Sequence, residues 1–206
     1  MAEFIKIYRD NPNPKAIDKV VKVLRKGGLI IFPTDTIYGL ACDINNTRGV
    51  ELMARIKGVK VNNANFSFIC SDLSNLSDYV KQIDSRTFRI LKRALPGPYT
   101  FILPGARSLP SIFKKKRTVG IRIPDNAITL EIVRQLGNPI ISTSIRDEDE
   151  IVEYTTDPEL IYEKWKKQVD LVIDGGYGDN QPSTVIDLSE DEPLIIREGK
   201  GTIEIF

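Results

Sequence analysis

The sequence predicts an α/β domain with a mixed β-sheet. Short apolar or alternating runs follow one another along the chain with intervening segments of helical apolar spacing, which is the order of βαβ units. The last two strand-like runs, 183–188 and 193–198, have no helix between them, which favours some antiparallel pairing. A length of 206 residues suits one domain, so we expect residues 1–206 to form a single unit.

The first quarter of the chain predicts a helix, a strand and a second helix. Asn13 is a favourable N-cap, and Pro14 suits the first helical position. The helix that they begin is expected to end at Gly27, because glycine commonly terminates helices. The apolar run 29–32 is bounded by glycine and proline and predicts a buried strand, while apolar spacing predicts a helix over about 47–57.

The middle of the chain continues this order. Alternating apolar residues predict a strand at 65–70, and helical spacing follows over 84–95. A proline–glycine turn leads into a strand within 95–103. Residues 117–124 alternate again, with apolar side chains on one side of the predicted strand and Arg122 on the other.

The last third predicts a helix over 126–136, a strand over 138–145, a helix over about 157–167 and a strand over 169–174. The acidic stretch 146–150 has the composition of a solvated loop. Two neighbouring strands then complete the sheet, which therefore combines parallel and antiparallel pairs.

The composition excludes several classes of protein and site. With 41% hydrophobic residues, 28% charged residues and a net charge of +1, the chain is unlike a generally basic nucleic-acid-coating protein. It contains no histidine, which excludes Ser-His-Asp and Cys-His catalysis and any His-ligated metal. Two cysteines, Cys42 and Cys70, cannot form a four-cysteine zinc site, and their scarcity favours a reducing cytoplasm. An enzyme of this composition would work by positioning and electrostatics.

The chain carries no run of 18 apolar residues and no secretion signal. We therefore expect no membrane segment and a cytoplasmic location.

The segment PTDTIYGL follows the strand 29–32 and places polar residues at its end. If the extended chain continues past Phe32, Thr34, Thr36 and Tyr38 lie on one face, since side chains two apart in a strand point the same way. They could bind a ligand there. Alternatively, the threonines bond to nearby backbone and the tyrosine belongs to the core.

Other candidate residues lie further along the chain. Lys57 and Lys60 come near a helix end, where cations either favour the helix dipole or reach a ligand. The segments STS (142–144) and QPST (181–184) could present hydroxyl groups to a phosphate or form ordinary polar turns. Arg122 and Arg197 each interrupt an apolar strand, so each needs a bound anion or a structural ion pair.

In order and spacing, these motifs resemble the YrdC/YciO family: PTDTIYGL, IKG, LPGPYTFIL, VGIRIPD, ISTS, PSTVIDL and IIREG. The resemblance extends over about residues 15–200. It implies a single α/β domain (α+β type) with a large twisted mixed β-sheet, flanking helices and a concave, positively charged face. Family members are associated with nucleotide binding, double-stranded RNA binding and the synthesis of threonylcarbamoyl-AMP from threonine, bicarbonate and ATP, which supplies the t6A modification of tRNA.

The resemblance implies roles for particular residues. Lys57, Thr36 and Arg122 would be catalytic. The substrate-binding set would be Thr34, Thr36, Tyr38, Arg122 and Thr143. The nucleotide-binding set would be Lys57, Lys60, Ser142, Ser144, Ser183, Thr184 and Arg197. Mg²⁺ would accompany ATP, without metal ligands from protein side chains.

Two departures from the synthase motifs indicate the YciO-like branch of the family. Val59 stands where synthases typically carry the arginine of a lysine-x-arginine pair, and a valine cannot contact a phosphate. Arg146 stands where they carry an asparagine, and it cannot accept the hydrogen bonds of an amide oxygen. Lys60 could substitute for the missing arginine.

Three functional readings follow. The first is an enzyme that makes or hydrolyses threonylcarbamoyl-AMP or a related adenylate. The second is a module for double-stranded RNA or tRNA, with the basic segment Lys114, Lys115, Lys116 and Arg117 as a contact; such segments are also common as solvated loops. The third is a paralogue that binds a nucleotide without turnover.

Overall fold

The computed structural model describes residues 1–74, 76–145 and 153–204 of the chain. Ten strands form one mixed β-sheet in the order β1-β8-β2-β3-β7-β4-β6-β5-β9-β10. The strands are β1 Glu3–Lys6, β2 Ile30–Phe32, β3 Gly39–Asp43, β4 Ser67–Ile69, β5 Tyr99–Pro104, β6 Thr118–Arg122, β7 Ile140–Ser144, β8 Leu171–Asp174, β9 Thr184–Asp187 and β10 Leu194–Arg197.

The described α-helices pack on the two faces of this sheet. They are α1 Pro14–Arg25, α2 Thr47–Ile56, α3 Ser85–Ala94, α4 Ala127–Leu136, α5 Glu153–Thr156 and α6 Pro158–Trp165. Five of them begin at a capping side chain that accepts hydrogen bonds from backbone N–H groups of the first turn; the caps are Asn13, Asn46, Asp84, Asn126 and Asp157. None of the described helices is long and apolar enough to cross a membrane.

Two apolar clusters hold the layers together. Helices α1 and α4 pack side by side and cover one face of β2 and β8, where Ile30 and Phe32 point toward them. Ile31 points to the opposite face and joins the second cluster with residues of α2, α3 and α6. This split follows from the two-residue period of a strand.

Parallel and antiparallel pairs coexist, as the sequence predicts. Strands β1, β8 and β2 are mutually parallel, and so are the pairs β4–β6 and β5–β9. The remaining pairs are antiparallel. The three late strands do not lie together: β9 and β10 pair with each other at one end of the sheet, whereas β8 inserts between β1 and β2 near the other end.

Two strands have no counterpart in the sequence prediction. Strand β1 is mostly exposed at the sheet edge, so it lacks an apolar run. Strand β3 is buried at every position and contains the GL of PTDTIYGL. It pairs antiparallel with β2, with Phe32 opposite Gly39, so the chain reverses between them. The extended chain therefore does not continue past Phe32, so the condition under which Thr34, Thr36 and Tyr38 would share one strand face is not met.

Candidate functional site

A cleft of about 560 Å³ opens on the sheet face that carries α1 and α4, beside the part that those helices cover. Its floor consists of alternate side chains from neighbouring strands, as the period of two requires. The floor residues are Ser67 and Ile69 of β4, Thr100 and Ile102 of β5, Thr118, Gly120 and Arg122 of β6, Ser142 and Ser144 of β7, and Ser183 and Val185 at β9. Small and hydroxyl-bearing residues dominate this floor, which leaves space above it and provides hydrogen-bonding groups.

The loop between β2 and β3 supplies one wall of the cleft, including Thr34 and Thr36. The Thr34 hydroxyl donates to the carbonyl of Ile37 at 2.9 Å and accepts from the backbone N–H of Thr36 at 2.9 Å. The two threonine Oγ1 atoms are 3.2 Å apart. The threonines therefore meet through a tight turn. This turn depends on Gly39, where a Cβ would lie 2.6 Å from the Phe32 ring.

Arg122 ties this loop to the sheet. Its Nη2 lies 2.6 Å from Asp35 Oδ1, 2.6 Å from Thr36 Oγ1 and 3.2 Å from Thr34 Oγ1. The side chains of Arg122 and Asp35 are only 11% and 8% exposed, so this is a nearly buried ion pair. Burial lowers the pKa of Arg122, and the charge of Asp35 acts in the opposite direction. Of the two alternatives for Arg122, the structure has the ion pair, and the guanidinium also lines the cleft.

The backbone of the loop is held from three sides. The hydroxyl of Thr129, in α4, donates to the carbonyl of Pro33 at 2.6 Å. Lys200 Nζ donates to the carbonyl of Asp35 at 2.7 Å, and it also pairs with Asp179. The N–H of Asp179 donates to the carbonyl of Thr36 at 3.2 Å. These contacts fix the threonine hydroxyls before any ligand arrives, which is the arrangement that precise binding requires.

The opposite wall comes from β5, β9 and β10. The hydroxyls of Thr100 and Ser183 are 2.9 Å apart and buried. Arg197 Nη2 donates to the carbonyl of Ser183 at 2.8 Å. Strand β10 is exposed at the edge of the sheet, so the expectation that Arg197 is a charge within a buried strand is wrong. Its guanidinium nevertheless lines the cleft, and burial together with the charge of Arg122 lowers its pKa.

Lys116 lies at a further point of the cleft wall, before β6 begins. Its Nζ donates to the carbonyl of Ala64 at 2.6 Å, and its side chain is half-buried among the cleft residues. Burial lowers its pKa. Within the described parts of the chain, no carboxylate pairs with Lys116 or with Arg197. Among the described residues, three cations line the cleft, and Asp35 compensates one of them, Arg122. This excess of positive charge in the described lining suits an anionic ligand.

The structure brings many of the predicted site residues together. Those that line the cleft are Thr34, Thr36, Arg122, Ser142, Thr143, Ser144, Ser183, Arg197 and Lys116. The serines of STS belong to strand β7 itself, since that strand continues to Ser144.

Tyr38 and Thr184 lie elsewhere. Tyr38 is fully buried; its hydroxyl donates to the carbonyl of Gly176 at 2.7 Å and accepts from the N–H of Gly175 at 3.0 Å. Burial strongly raises its pKa. The Thr184 hydroxyl donates to the carbonyl of Gly201 at 2.6 Å. Both side chains hold loops beside the site, and neither lines the cleft; their contact with a ligand stays a prediction.

Lys57 and Lys60 do not reach the lining of the cleft. Lys57 is the C-cap of α2, and Gly58, with φ of +66°, turns the chain after it. Lys60 is exposed before a short 3₁₀ turn at Val61–Asn63. Val59 is 41% exposed. Position 146, the other departure from the synthase motifs, lies outside the described residues.

The basic segment 114–117 is divided by the fold. Lys114, Lys115 and Arg117 are exposed, whereas Lys116 turns inward. A run of four cations shows no alternation, so the sequence predicts Lys116 only as an RNA contact and does not indicate that it enters the cleft. No role for Asp35 is predicted either, although a carboxylate between two threonines can pair with a buried arginine.

The described residues contain no group of three or more His, Cys, Asp or Glu side chains that could hold a metal. The cleft offers hydroxyl oxygens and cations instead. The described lining therefore lacks the carboxylate oxygens that usually bind Mg²⁺, and the expectation that this ion accompanies ATP stays a prediction.

Comparison with known proteins identifies a matching family model and related proteins. The Sua5/YciO/YrdC family model, described as "Telomere recombination", matches residues 22–199. The protein YciO of Escherichia coli strain K12 is 41% identical over 209 residues, and the match covers all of both chains. Threonylcarbamoyl-AMP synthase of Bacillus subtilis is 30% identical over 93% of this chain, but the match covers 56% of the synthase.

Solved structures agree with these relationships. The crystal structure of E. coli YciO superposes with a TM-score of 0.90 at 42% identity, and all of both chains is covered. Sua5 of Pyrococcus abyssi, complexed with L-threonine, superposes with a TM-score of 0.87 at 27% identity over 98% of this chain and 58% of Sua5. The large mixed sheet flanked by helices is therefore the fold expected from the sequence.

Proposed function

Because this chain belongs to the Sua5/YciO/YrdC family, on its YciO-like side, we propose that it forms an acyl adenylate of the threonylcarbamoyl-AMP type from threonine, bicarbonate and ATP. The matches to relatives named threonylcarbamoyl-AMP synthase cover 85% to 93% of this chain, and Sua5 of P. abyssi has been crystallised with L-threonine. The same site would also catalyse the reverse reaction or hydrolysis of the adenylate.

The observation that carries this proposal is the cluster of Arg122, Asp35, Thr34 and Thr36 at the wall of a cationic cleft. Arg122 presents a guanidinium that is already oriented by Asp35. A carboxylate such as that of threonine is the natural partner of a guanidinium, and the adjacent hydroxyls would bond to its polar groups.

The reaction itself needs positioning more than proton transfer from the protein. Threonine and bicarbonate condense to a carbamate with loss of water. A carbamate oxygen then attacks the α-phosphorus of ATP, and the bond from that phosphorus to the bridging oxygen of pyrophosphate breaks. The cleft would hold these anions in line and offset their charge, which a site without histidine is equipped to do.

The nucleotide would occupy the part of the cleft between the wall of β9 and β10 and the hydroxyls of β7. Arg197 and Ser183 face this region from one side, and Ser142 and Ser144 belong to the other. Their hydroxyls and cations suit phosphate oxygens.

The direct test is a chromatographic assay of the purified protein with threonine, bicarbonate, ATP and Mg²⁺, beside a second reaction seeded with preformed threonylcarbamoyl-AMP. Accumulation of threonylcarbamoyl-AMP in the first reaction supports the proposal. Loss of the seeded adenylate without synthesis would make the protein a hydrolase of that compound. If neither reaction changes composition, the proposal is wrong and the cleft serves another ligand.

A further inference from the structure

Lys116 and Arg122 stand at opposite ends of β6. Lys116 precedes the strand, which begins at Thr118, and Arg122 is its last residue. Six residues of extended chain span up to about 20 Å. The two side chains also diverge in their contacts, since Lys116 reaches Ala64, ahead of β4, whereas Arg122 reaches the turn after β2. The cleft therefore carries positive charge at both ends.

Arg122 and Lys116 differ in whether a carboxylate neutralises their positive charge. Arg122 has Asp35 as a partner at 2.6 Å. Lys116 is half-buried, its Nζ bonds to a neutral carbonyl, and none of the described carboxylates pairs with it. A partly desolvated cation without a counter-charge is costly unless a ligand supplies one, and burial accordingly lowers the pKa of Lys116. An ammonium has three donors, so at least two remain for such a ligand after the bond to Ala64.

The geometry of phosphoryl transfer indicates which anionic group would lie beside Lys116. The attacking and leaving oxygens lie on opposite sides of the phosphorus. If the carbamate nucleophile is held by Arg122 and the threonines, the leaving pyrophosphate extends toward the other end of the cleft. We propose that Lys116 binds the β- and γ-phosphates of ATP and the pyrophosphate that they become. This inference rests on the proposed adenylate-forming function.

The family motifs in the sequence do not assign phosphate binding to Lys116. They indicate Lys57 and Lys60 as the candidate phosphate contacts. Neither of these lysines lines the cleft, and Lys116 does. Lys116 comes from a different element, the segment before β6, and reaches across to the segment before β4.

The test measures binding by calorimetry for four probes: ATP with Mg²⁺, inorganic pyrophosphate with Mg²⁺, AMP and L-threonine. The variant is Lys116→Gln, which removes the charge and retains an N–H donor for the Ala64 carbonyl. The matched control is Lys115→Gln, which removes the neighbouring charge at an exposed position. Lys116→Arg restores the charge.

We expect Lys116→Gln to weaken ATP and pyrophosphate binding about tenfold or more, the loss typical of one charge-assisted hydrogen bond. AMP and L-threonine should bind as in the wild type, because neither carries a β-phosphate. Lys115→Gln should bind all four probes normally, and Lys116→Arg should recover most of the affinity for pyrophosphate.

Two results would overturn the inference and leave the proposed function standing. The first is that Lys116→Gln binds pyrophosphate with wild-type affinity. The second is that Lys116→Gln loses as much affinity for AMP and L-threonine as for pyrophosphate, because a purely structural role of Lys116 would affect all of these ligands. Absence of ATP and pyrophosphate binding by the wild-type protein would overturn the proposed function and this inference together.

Discussion

At the scale of single residues, the site is organised by one arginine. Arg122 lies at the end of a strand whose other side packs into the core, and its guanidinium turns to a carboxylate and two threonines. Placing a cation there costs desolvation energy, which the Asp35 ion pair offsets. The result is a fixed donor group at the cleft wall, with hydroxyls on either side of it.

Thr36 provides the sharpest test of this cluster. It is 1% exposed, and its hydroxyl accepts from Arg122 at 2.6 Å. We expect Thr36→Ala to weaken L-threonine binding by about 1–2 kcal/mol, because the ligand loses a hydrogen-bonding group and Arg122 loses an orienting contact. Thr36→Ser keeps the hydroxyl and should bind nearly as the wild type. Calorimetric titration measures both. Equal affinities of the alanine and serine variants would remove Thr36 from the binding site.

At the scale of elements, the turn between β2 and β3 and the segment before β6 decide what the cleft presents. The turn is anchored to α4, to the loop after β8 and to the segment after β10, so distant parts of the chain position two threonines. The segment 114–117 sends one lysine inward and leaves three cations exposed. This division separates Lys116, which lines the cleft, from the exposed cations that remain available for the predicted contact with RNA.

The RNA reading therefore depends on the exposed members of that run. If double-stranded RNA binds there, affinity should fall steeply between about 50 and 200 mM salt, since each phosphate contact releases counterions. Lys115→Glu should weaken RNA binding further through repulsion, while ATP binding stays unchanged. Electrophoretic mobility shifts across a salt series measure the first effect. Affinity that is insensitive to salt and to Lys115→Glu would exclude this surface.

At the scale of the whole molecule, one mixed sheet gathers residues that are far apart in the chain. Thr34 and Arg122 are 88 positions apart, and their side chains meet at 3.2 Å. The same sheet buries ionisable side chains that take no part in the cleft, among them Cys42, Cys70 and Tyr38. Burial raises the pKa of Cys70 to about 12 and raises those of Cys42 and Tyr38 as well.

These shifts predict how stability depends on pH. In the unfolded chain the thiols lose their protons near pH 9, whereas the folded chain retains them. The folded state then binds more protons than the unfolded state, so the free energy of unfolding falls as pH rises above 9, by up to ~1.4 kcal/mol per pH unit for each group. Below pH 9 the contribution is constant.

Urea denaturation under reducing conditions between pH 7 and about pH 11 measures this slope. The variant Cys70→Ser should have a shallower slope, whatever its stability at pH 7, because a serine hydroxyl does not titrate in this range. A free energy of unfolding that does not decrease above pH 9, or an unchanged slope in the variant, would contradict the assignment to buried thiols.

The amino-acid sequence alone predicts the fold class, most of the helices and strands, and the family. Local causes suffice for these: Asn13 and Asp84 cap their helices, and the alternation around Arg122 places apolar side chains on the opposite face of β6. The motifs also indicated most of the hydroxyl-bearing and cationic residues that line the cleft, because such groups in predicted strands are conspicuous.

Which of these residues meet depends on the three-dimensional fold and could not be predicted from local sequence. The reversal after Phe32 removes Tyr38 from the cleft, and the chain path after α2 leaves Lys57 and Lys60 outside its lining. Lys116 enters from a charge run that has no periodicity. The physical reason is that residue identity specifies local conformation and burial, whereas strand order and turn direction determine which distant side chains come within hydrogen-bonding distance.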